Sequence, residues 1–372
     1  MNNIKVLAYY LPQFYPTPEN DEWWGKGFTE WVNVAKARPL FKGHKQPHIP
    51  ADLGFYDLRL PESRAMQAEY AKKAGISAFC YWHYWFGNGK RLLNYPLDEV
   101  IRLGEPDFPF CLAWANHSWY KKSWVAGNDI FNKATSQLLV EQKYPGDEDI
   151  RNHFYTMLPA FKDKRYFKIH DKLAFVIFAP QDIPDSDRFM QMWNDLASKE
   201  GLPNFFFIAH TFHVDNIGIL RRQNYDAINV SLHRNVMGSR DNYHTPIMKI
   251  VNSIRDRVSV KPDTIEYKDA IGQLDSPIFE EDKIMPTIIP NWDHTPRSGN
   301  FGRVFTNSTP KLFQKHVHQI LSRLRNKKDE DKVVFIKSWN EWGEGNYLEP
   351  DIEYGTAFLD ALKSEIIKFG KR

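Results

Sequence analysis

The sequence predicts a single (β/α)8 barrel, an α/β fold, with long loops on its C-terminal face. Three observations predict it. Eight short apolar runs recur along the chain, at residues 4–10, 76–82, 108–115, 173–179, 205–210, 227–230, 284–290 and 333–339. They are β-branched and aromatic with no polar alternation, as parallel strands covered on both faces are. Helical patterns separate most of them, at residues 62–73, 92–103, 149–161, 187–199, 245–257, 310–325 and 357–369; strand–helix alternation marks parallel βαβ units. The rival is an open doubly wound sheet, which carries a glycine-rich turn after its first strand. Here the first run leads into Leu11-Pro12-Gln13-Phe14 with no glycine.

Taken in order, the first run enters a long segment, residues 21–50, that contains Trp23-Trp24-Gly25-Lys26-Gly27-Phe28-Thr29-Glu30-Trp31. It reads as a lid or wall over one end of the barrel. The second run continues into Trp82-His83-Tyr84-Trp85-Phe86-Gly87 and the third into Trp114-Ala115-Asn116-His117. Cys80 and Cys111 lie inside these runs and read as inert core residues. The acidic triple Asp147-Glu148-Asp149 precedes a helical pattern and reads as its cap. The fifth run ends at His210; the sixth is the shortest; a polar excursion, residues 259–283, precedes the seventh. The seventh run ends in Asn291-Trp292-Asp293-His294-Thr295-Pro296-Arg297, and the eighth in Ser338-Trp339-Asn340-Glu341-Trp342-Gly343-Glu344-Gly345. No linker or low-complexity segment divides residues 1–372, which read as one catalytic domain.

Hydrophobic content of 42%, charged content of 26% and a net charge of +3 describe an ordinary globular chain. The basic residues are scattered, which argues against a nucleic-acid surface. No apolar run approaches a membrane span, and no signal peptide is visible after Met1, so a cytoplasmic location is expected. Aromatic content is high, at 15%, with 12 Trp and 17 Tyr, many of them in polar, glycine- and proline-containing segments. Such rings suit stacking on the C–H faces of sugars; a large core with aromatic-pinned loops is the alternative.

The chemistry concentrates after the eighth run. Glu341 and Glu344 are three residues apart, among tryptophans and glycines, at the end of a buried strand. A carboxyl against an indole face is poorly solvated and so held protonated. A neutral acid beside an ionised carboxylate is the arrangement that breaks glycosidic bonds. The barrel reading gathers the other strand ends on the same rim. Tyr10, Gln13, Trp82, His83, Trp85, Trp114, Asn116, His210, Asn291, Trp292, Asp293, Arg297 and Asn340 are accordingly expected to bind sugar. Other readings stay open: Glu341 and Glu344 as structural carboxylates, Asp293 and Arg297 as a local ion pair, His83 and His210 as core histidines. A metal site assembled from His83, His117, His210 and Asp293 lacks ligand spacing, so neither metal nor cofactor is expected.

With these segments in hand, the chain resembles the WbsX-type proteins, which are similar to glycoside hydrolase family 99, the endo-α-mannosidases. The resemblance rests on Ala8-Tyr9-Tyr10-Leu11-Pro12-Gln13-Phe14, Gly27-Phe28-Thr29-Glu30-Trp31, Tyr81-Trp82-His83-Tyr84-Trp85-Phe86, Trp114-Ala115-Asn116, Asn291-Trp292-Asp293-His294-Thr295-Pro296-Arg297 and Trp339-Asn340-Glu341-Trp342-Gly343-Glu344-Gly345. It implies a (β/α)8 barrel and retaining chemistry on α-linked, mannose-type residues of a bacterial surface polysaccharide or its precursor. Carried over, Glu341 is the base on the sugar's 2-hydroxyl, giving a 1,2-anhydro intermediate, and Glu344 is the general acid/base. WbsX-type proteins are also described as glycosyltransferases of O-antigen or capsule assembly, so transfer from an activated donor is the second expectation. A non-catalytic carbohydrate-binding barrel is the third. The expected partner is an oligosaccharide or polysaccharide; the sequence assigns no oligomeric state.

Overall fold

The computed structural model describes residues 4–122, 136–236 and 261–371. Eight parallel strands close on themselves: β1 (Lys5–Tyr10), β2 (Ala78–Trp85), β3 (Phe110–Trp114), β4 (Lys172–Ile177), β5 (Phe205–Thr211), β6 (Ala227–Val230), β7 (Ile284–Ile288) and β8 (Val333–Ile336). Each pairs with the next in parallel, and β8 pairs with β1, so the barrel has no open edge. The strands are buried along nearly their whole length, which is why their sequences lack alternation. Cys80 and Cys111 are register partners on β2 and β3, free and fully buried, as a core reading requires.

Helices Pro61–Ala74, Tyr95–Leu103, Asp147–Phe161, Ser186–Lys199, Pro310–Arg323 and Ala357–Gly370 follow the predicted patterns. Local chemistry sets their starts. Asp185 caps Ser186–Lys199 by accepting from the Arg188 N–H, and Thr309 does the same for Leu312 ahead of Pro310. Asp147, Glu148 and Asp149 occupy the first turn of their helix, where negative charge is favoured, and Gly146 takes the cap position. The helical pattern at residues 245–257 lies outside the described residues, as does the start of the 259–283 excursion.

The lumen is packed with side chains, as in other barrels of this kind. Near its C-terminal end Tyr9 stacks on Trp82 at 4.6 Å and on Phe335 at 5.1 Å. The Tyr9 hydroxyl donates to Asn229 Oδ1 (2.9 Å), and Asn229 Nδ2 donates to Thr287 Oγ1 and to the Met285 carbonyl. This polar cross-brace from β1 to β6 and β7 is the floor on which the C-terminal face is built. The segment at 21–50 forms a wall. It contributes the end of helix Pro18–Trp24 and the whole of helix Glu30–Lys36, and Trp31 packs on Phe14, Tyr56 and Trp342.

Candidate active site

After β8 the chain forms a two-residue ribbon, Asn340–Glu341, paired antiparallel with Asn346–Tyr347 through a single 3-10 turn at Trp342–Glu344. Two glycines let other segments press directly on this turn. A Cβ at Gly343 would lie 1.8 Å from Glu30 Oε1 and 3.0 Å from Arg297 Nε. Gly345 has φ +54, and a Cβ there would meet Asp293 Cβ at 2.6 Å. Close approach of backbone, which only glycine permits, therefore delivers Glu30, Arg297 and Asp293 to the two glutamates.

Arg297 Nη1 donates to Glu341 Oε1 (3.1 Å) and to Glu344 Oε1 (2.8 Å), while its Nε donates to Glu30 Oε1 (2.9 Å). One nitrogen shared at those distances holds the near oxygens of Glu341 and Glu344 no more than about 6 Å apart. Lys337 Nζ approaches Glu341 Oε2 to 3.8 Å and lies 5.6 Å from the Trp292 ring centre. Burial opposes the charge on Arg297, but Glu30, Glu344 and Glu341 outweigh it and hold its pKa well above the usual value. Desolvation, reinforced by Arg297, pushes His294 down to about 4. His294 is therefore neutral at pH 7, and its Nε2, 3.6 Å from Glu344 Oε1, is a polar neighbour and not an ion-pair partner. The Tyr84 phenol is pushed up by burial first and then by the charge of Glu341.

Asp293 stands behind Glu344. Its backbone N–H donates to the Glu344 carbonyl (2.7 Å), and its carboxylate accepts from His44, Gln46, and the N–H and hydroxyl of Thr295. Burial pushes its pKa up, yet these donors win and hold it below the ordinary value. His210 faces the lumen floor. Asn229 spends its amide N–H groups on Thr287 and Met285, so its Oδ1 is the acceptor and His210 Nδ1–H the donor, at 2.7 Å. That tautomer leaves His210 Nε2 as a bare acceptor, buried and without a partner among the described residues. Burial pushes His210 down to about 3, so it stays neutral.

Several sequence expectations are corrected. Successive side chains along a strand point to opposite faces. Tyr9 points inward, so Tyr10 points outward, donating to Gln67 on helix Pro61–Ala74 (2.6 Å). β2 runs on to Trp85, so Trp82 and Tyr84 face in while His83 and Trp85 face out. His83 Nε2 meets His153 Nε2 at 2.7 Å, and Trp85 Nε1 donates to Asp149 Oδ2. Trp114 also faces out, against Phe189 and His153, with Nε1 on the Trp85 carbonyl. Asn116 is a clasp between strand ends, bonded to both the N–H and the carbonyl of Ala179; Asn340 clasps Leu11 in the same way. Gln13 contributes its backbone carbonyl, which accepts from the Glu30 N–H. The metal set assembled on paper does not converge, since His83 pairs with His153 and Asp293 with His44.

The tryptophans beside the glutamates do not face the carboxylates either. Trp339 packs on Phe79, and Trp342 stacks on Tyr347 at 3.7 Å. Trp342 Nε1 donates to Glu349 (2.6 Å), a buried carboxyl that also accepts from Gln67 and Tyr56. Burial pushes Glu349 up to about 7 against the pull of those donors. The sequence reading missed Glu30, Lys337, Tyr84, His294, Asn346 and Glu349. Glu30, Tyr84 and His294 carried a signal, as parts of segments that bore the family resemblance. Asn346, the cross-strand partner of Glu341, is fully buried with both amide atoms unpartnered among the described residues.

The structure thus sets paired, cation-bridged carboxylates beyond β8 of a closed (β/α)8 barrel. The chain belongs to the family described as glycosyltransferase WbsX, whose model matches residues 6–362. It is 31% identical over 365 residues to the uncharacterized protein WxcX of Xanthomonas campestris pv. campestris, in two strains; the match covers 98% of this chain and 50% of the relative. The chain thus spans about half the length of the curated relatives it matches. The fold is similar to that of the GH99 endo-α-mannosidase of Bacteroides thetaiotaomicron, with TM-score 0.54 and 14% identity over 98% of this chain and 97% of the other. A glycoside hydrolase-like protein gives TM-score 0.56 and 16% identity over 98% and 94%. Among the described residues no helix is long and apolar enough to cross a membrane.

Proposed function

We propose that this chain catalyses retaining cleavage of an α-linked, mannose-type bond in a surface polysaccharide or its precursor, with Glu341 and Glu344 carrying the chemistry. The observation that carries this reading is the shared Arg297 contact. Near oxygens within about 6 Å let both carboxylates reach C1 and O2 of one sugar residue, as participation of the 2-hydroxyl requires. Glu341 takes the proton of the sugar's 2-hydroxyl as O2 attacks C1. Glu344 gives its proton to the departing glycosidic oxygen, and the C1–O bond breaks. In the second half, water attacks C1 as Glu344 takes its proton, the C1–O2 bond formed in the first half breaks, and O2 recovers its proton from Glu341. Arg297 bridges both carboxylates in the free enzyme. An entering sugar takes Glu344 off that bridge, so that Glu344 carries the proton it donates, while Arg297 and Lys337 continue to offset the charge on Glu341.

The family description favours a second reading, transfer of the sugar to an acceptor other than water, which shares the first half-reaction. Turnover of the glycan in ¹⁸O-labelled water separates the two. Hydrolysis places one labelled oxygen on the new reducing end. Transfer leaves products unlabelled and lengthens an acceptor. Loss of about 10²–10⁴-fold in rate is expected for Glu344→Gln, the usual contribution of a general acid; unchanged turnover contradicts its role.

A further inference from the structure

A cleft that Trp292 lines and Glu341 and Glu344 do not is bounded, among others, by Phe41, Asn291, Ser308 and Tyr354. It offers about 70 Å³, several times the ~10–15 Å³ that one water needs by the same measure. Its chemistry is specific. Asn291 Oδ1 and Ser308 Oγ are buried and have no hydrogen-bonding partner among the described residues. Buried polar atoms are paired as a rule, so two unpaired ones in one cleft mark a place for a hydroxylated guest. Flat apolar surface accompanies them: Phe41, stacked on His44 at 4.4 Å, and Tyr354.

The charges around the cleft are already spent. Lys45 pairs with Glu353 on the rim. Asp351 accepts from the Tyr347 hydroxyl and from the N–H groups of Glu353 and Tyr354. His44 receives the Leu40 N–H on Nδ1 and gives its Nε2–H to Asp293. A phosphate or uronate would find no uncommitted cation there among the described residues, whereas a neutral sugar ring would find ring faces and, in the wall, two polar atoms that have no partner of their own.

We infer that this cleft is a second sugar-binding site, holding one neutral hexose-type residue of the same glycan away from the reacting bond. The inference rests on the carbohydrate reading above. The cleft wall is also the support of the reacting residues. Trp292 and Asp293 line it, and Asp293 holds the Glu344 carbonyl through its own N–H. A sugar seated against Asn291 therefore firms the segment that positions Glu344.

The test is saturation-transfer NMR with mannose, glucose, fucose and N-acetylglucosamine, on the wild-type chain, on Ser308→Trp, which fills the cleft, on Phe41→Ala, which removes a ring face, and on Glu341→Gln/Glu344→Gln. Transfer to at least one sugar is expected with the wild type and the double glutamine variant. The part that belongs to the cleft is expected to be lost in Ser308→Trp, what remains coming from the carboxylate site, and to weaken about tenfold in affinity in Phe41→Ala, with the circular dichroism of both unchanged. Phe41→Ala keeps the test valid should Ser308→Trp misfold. Absence of any signal with the wild type, or a signal untouched by both cleft variants, overturns the inference. A signal lost only in the double glutamine variant also overturns it, placing the sugar at the carboxylates and leaving the catalytic reading intact. Cleft binding without turnover of any glycan by the wild type upholds the site and sinks the catalytic reading instead.

Discussion

A methyl group at position 343 would land 1.8 Å from Glu30 Oε1. No rotamer change of the methyl relieves such a clash, so Gly343→Ala must displace Glu30 and, through it, Arg297. Overpacking of this kind costs about 1–3 kcal/mol, and here the moved groups are those that join Glu341 to Glu344. The expected outcome is a fold that persists with turnover lost by at least about a hundredfold. Adding Glu30→Ala to Gly343→Ala should recover part of the lost stability, since the two residues share one contact. Strict additivity in thermal unfolding contradicts this picture. At this scale the sequence showed the two glutamates and Arg297, because each follows a strand-like run. It did not show that Glu30, far earlier in the chain, touches the same guanidinium, because no local spacing encodes a contact between distant loops.

At the level of elements, parity decided which expectations held. β2 continues three residues past the predicted end at Trp82, and period-2 alternation then turns His83 and Trp85 toward the helices. An apolar run shows that a strand exists and is buried on both faces; it does not reveal which face is the lumen. The segment after β8 has its own support in Glu349, which ties Trp342 to Gln67 and Tyr56. Burial raises Glu349 to about 7 from an ordinary 4.5. The folded state therefore holds this proton where the unfolded chain has lost it, and its contribution to stability falls as pH rises from 4.5 through 7. Glu349→Gln removes that dependence. The drop in melting temperature between pH 6 and pH 8 should be smaller in Glu349→Gln than in the wild type; equal drops contradict the assignment.

For the whole molecule, buried histidines set the acid limit. Burial pushes His83, His210 and His316 down to about 3, and His117 and His294 to about 4. The unfolded chain protonates its histidines near 6.5. Below that pH it binds more protons than the folded chain, so stability falls as pH drops from 6.5 toward 4. Glu349 works in the opposite direction over part of this range but is outnumbered. Thermal unfolding at pH 5 should begin several degrees below that at pH 7, and a higher melting temperature at pH 5 contradicts this. The barrel itself was the most legible feature, since eight runs buried on both faces leave a pattern that needs no tertiary information. The composition of the rim was not, because it depends on loops that meet only once the barrel closes.

The central claim is that Glu341 and Glu344 act on one glycosidic bond in different roles. Turnover of the natural glycan and of an aryl α-glycoside with a good leaving group, by the wild type, Glu341→Gln and Glu344→Gln, tests it most directly. A good leaving group needs no proton, so Glu344→Gln should lose about 10²–10⁴-fold on the glycan and far less on the aryl glycoside, while Glu341→Gln should fail on both. Wild-type rates on the glycan from either variant would contradict the account.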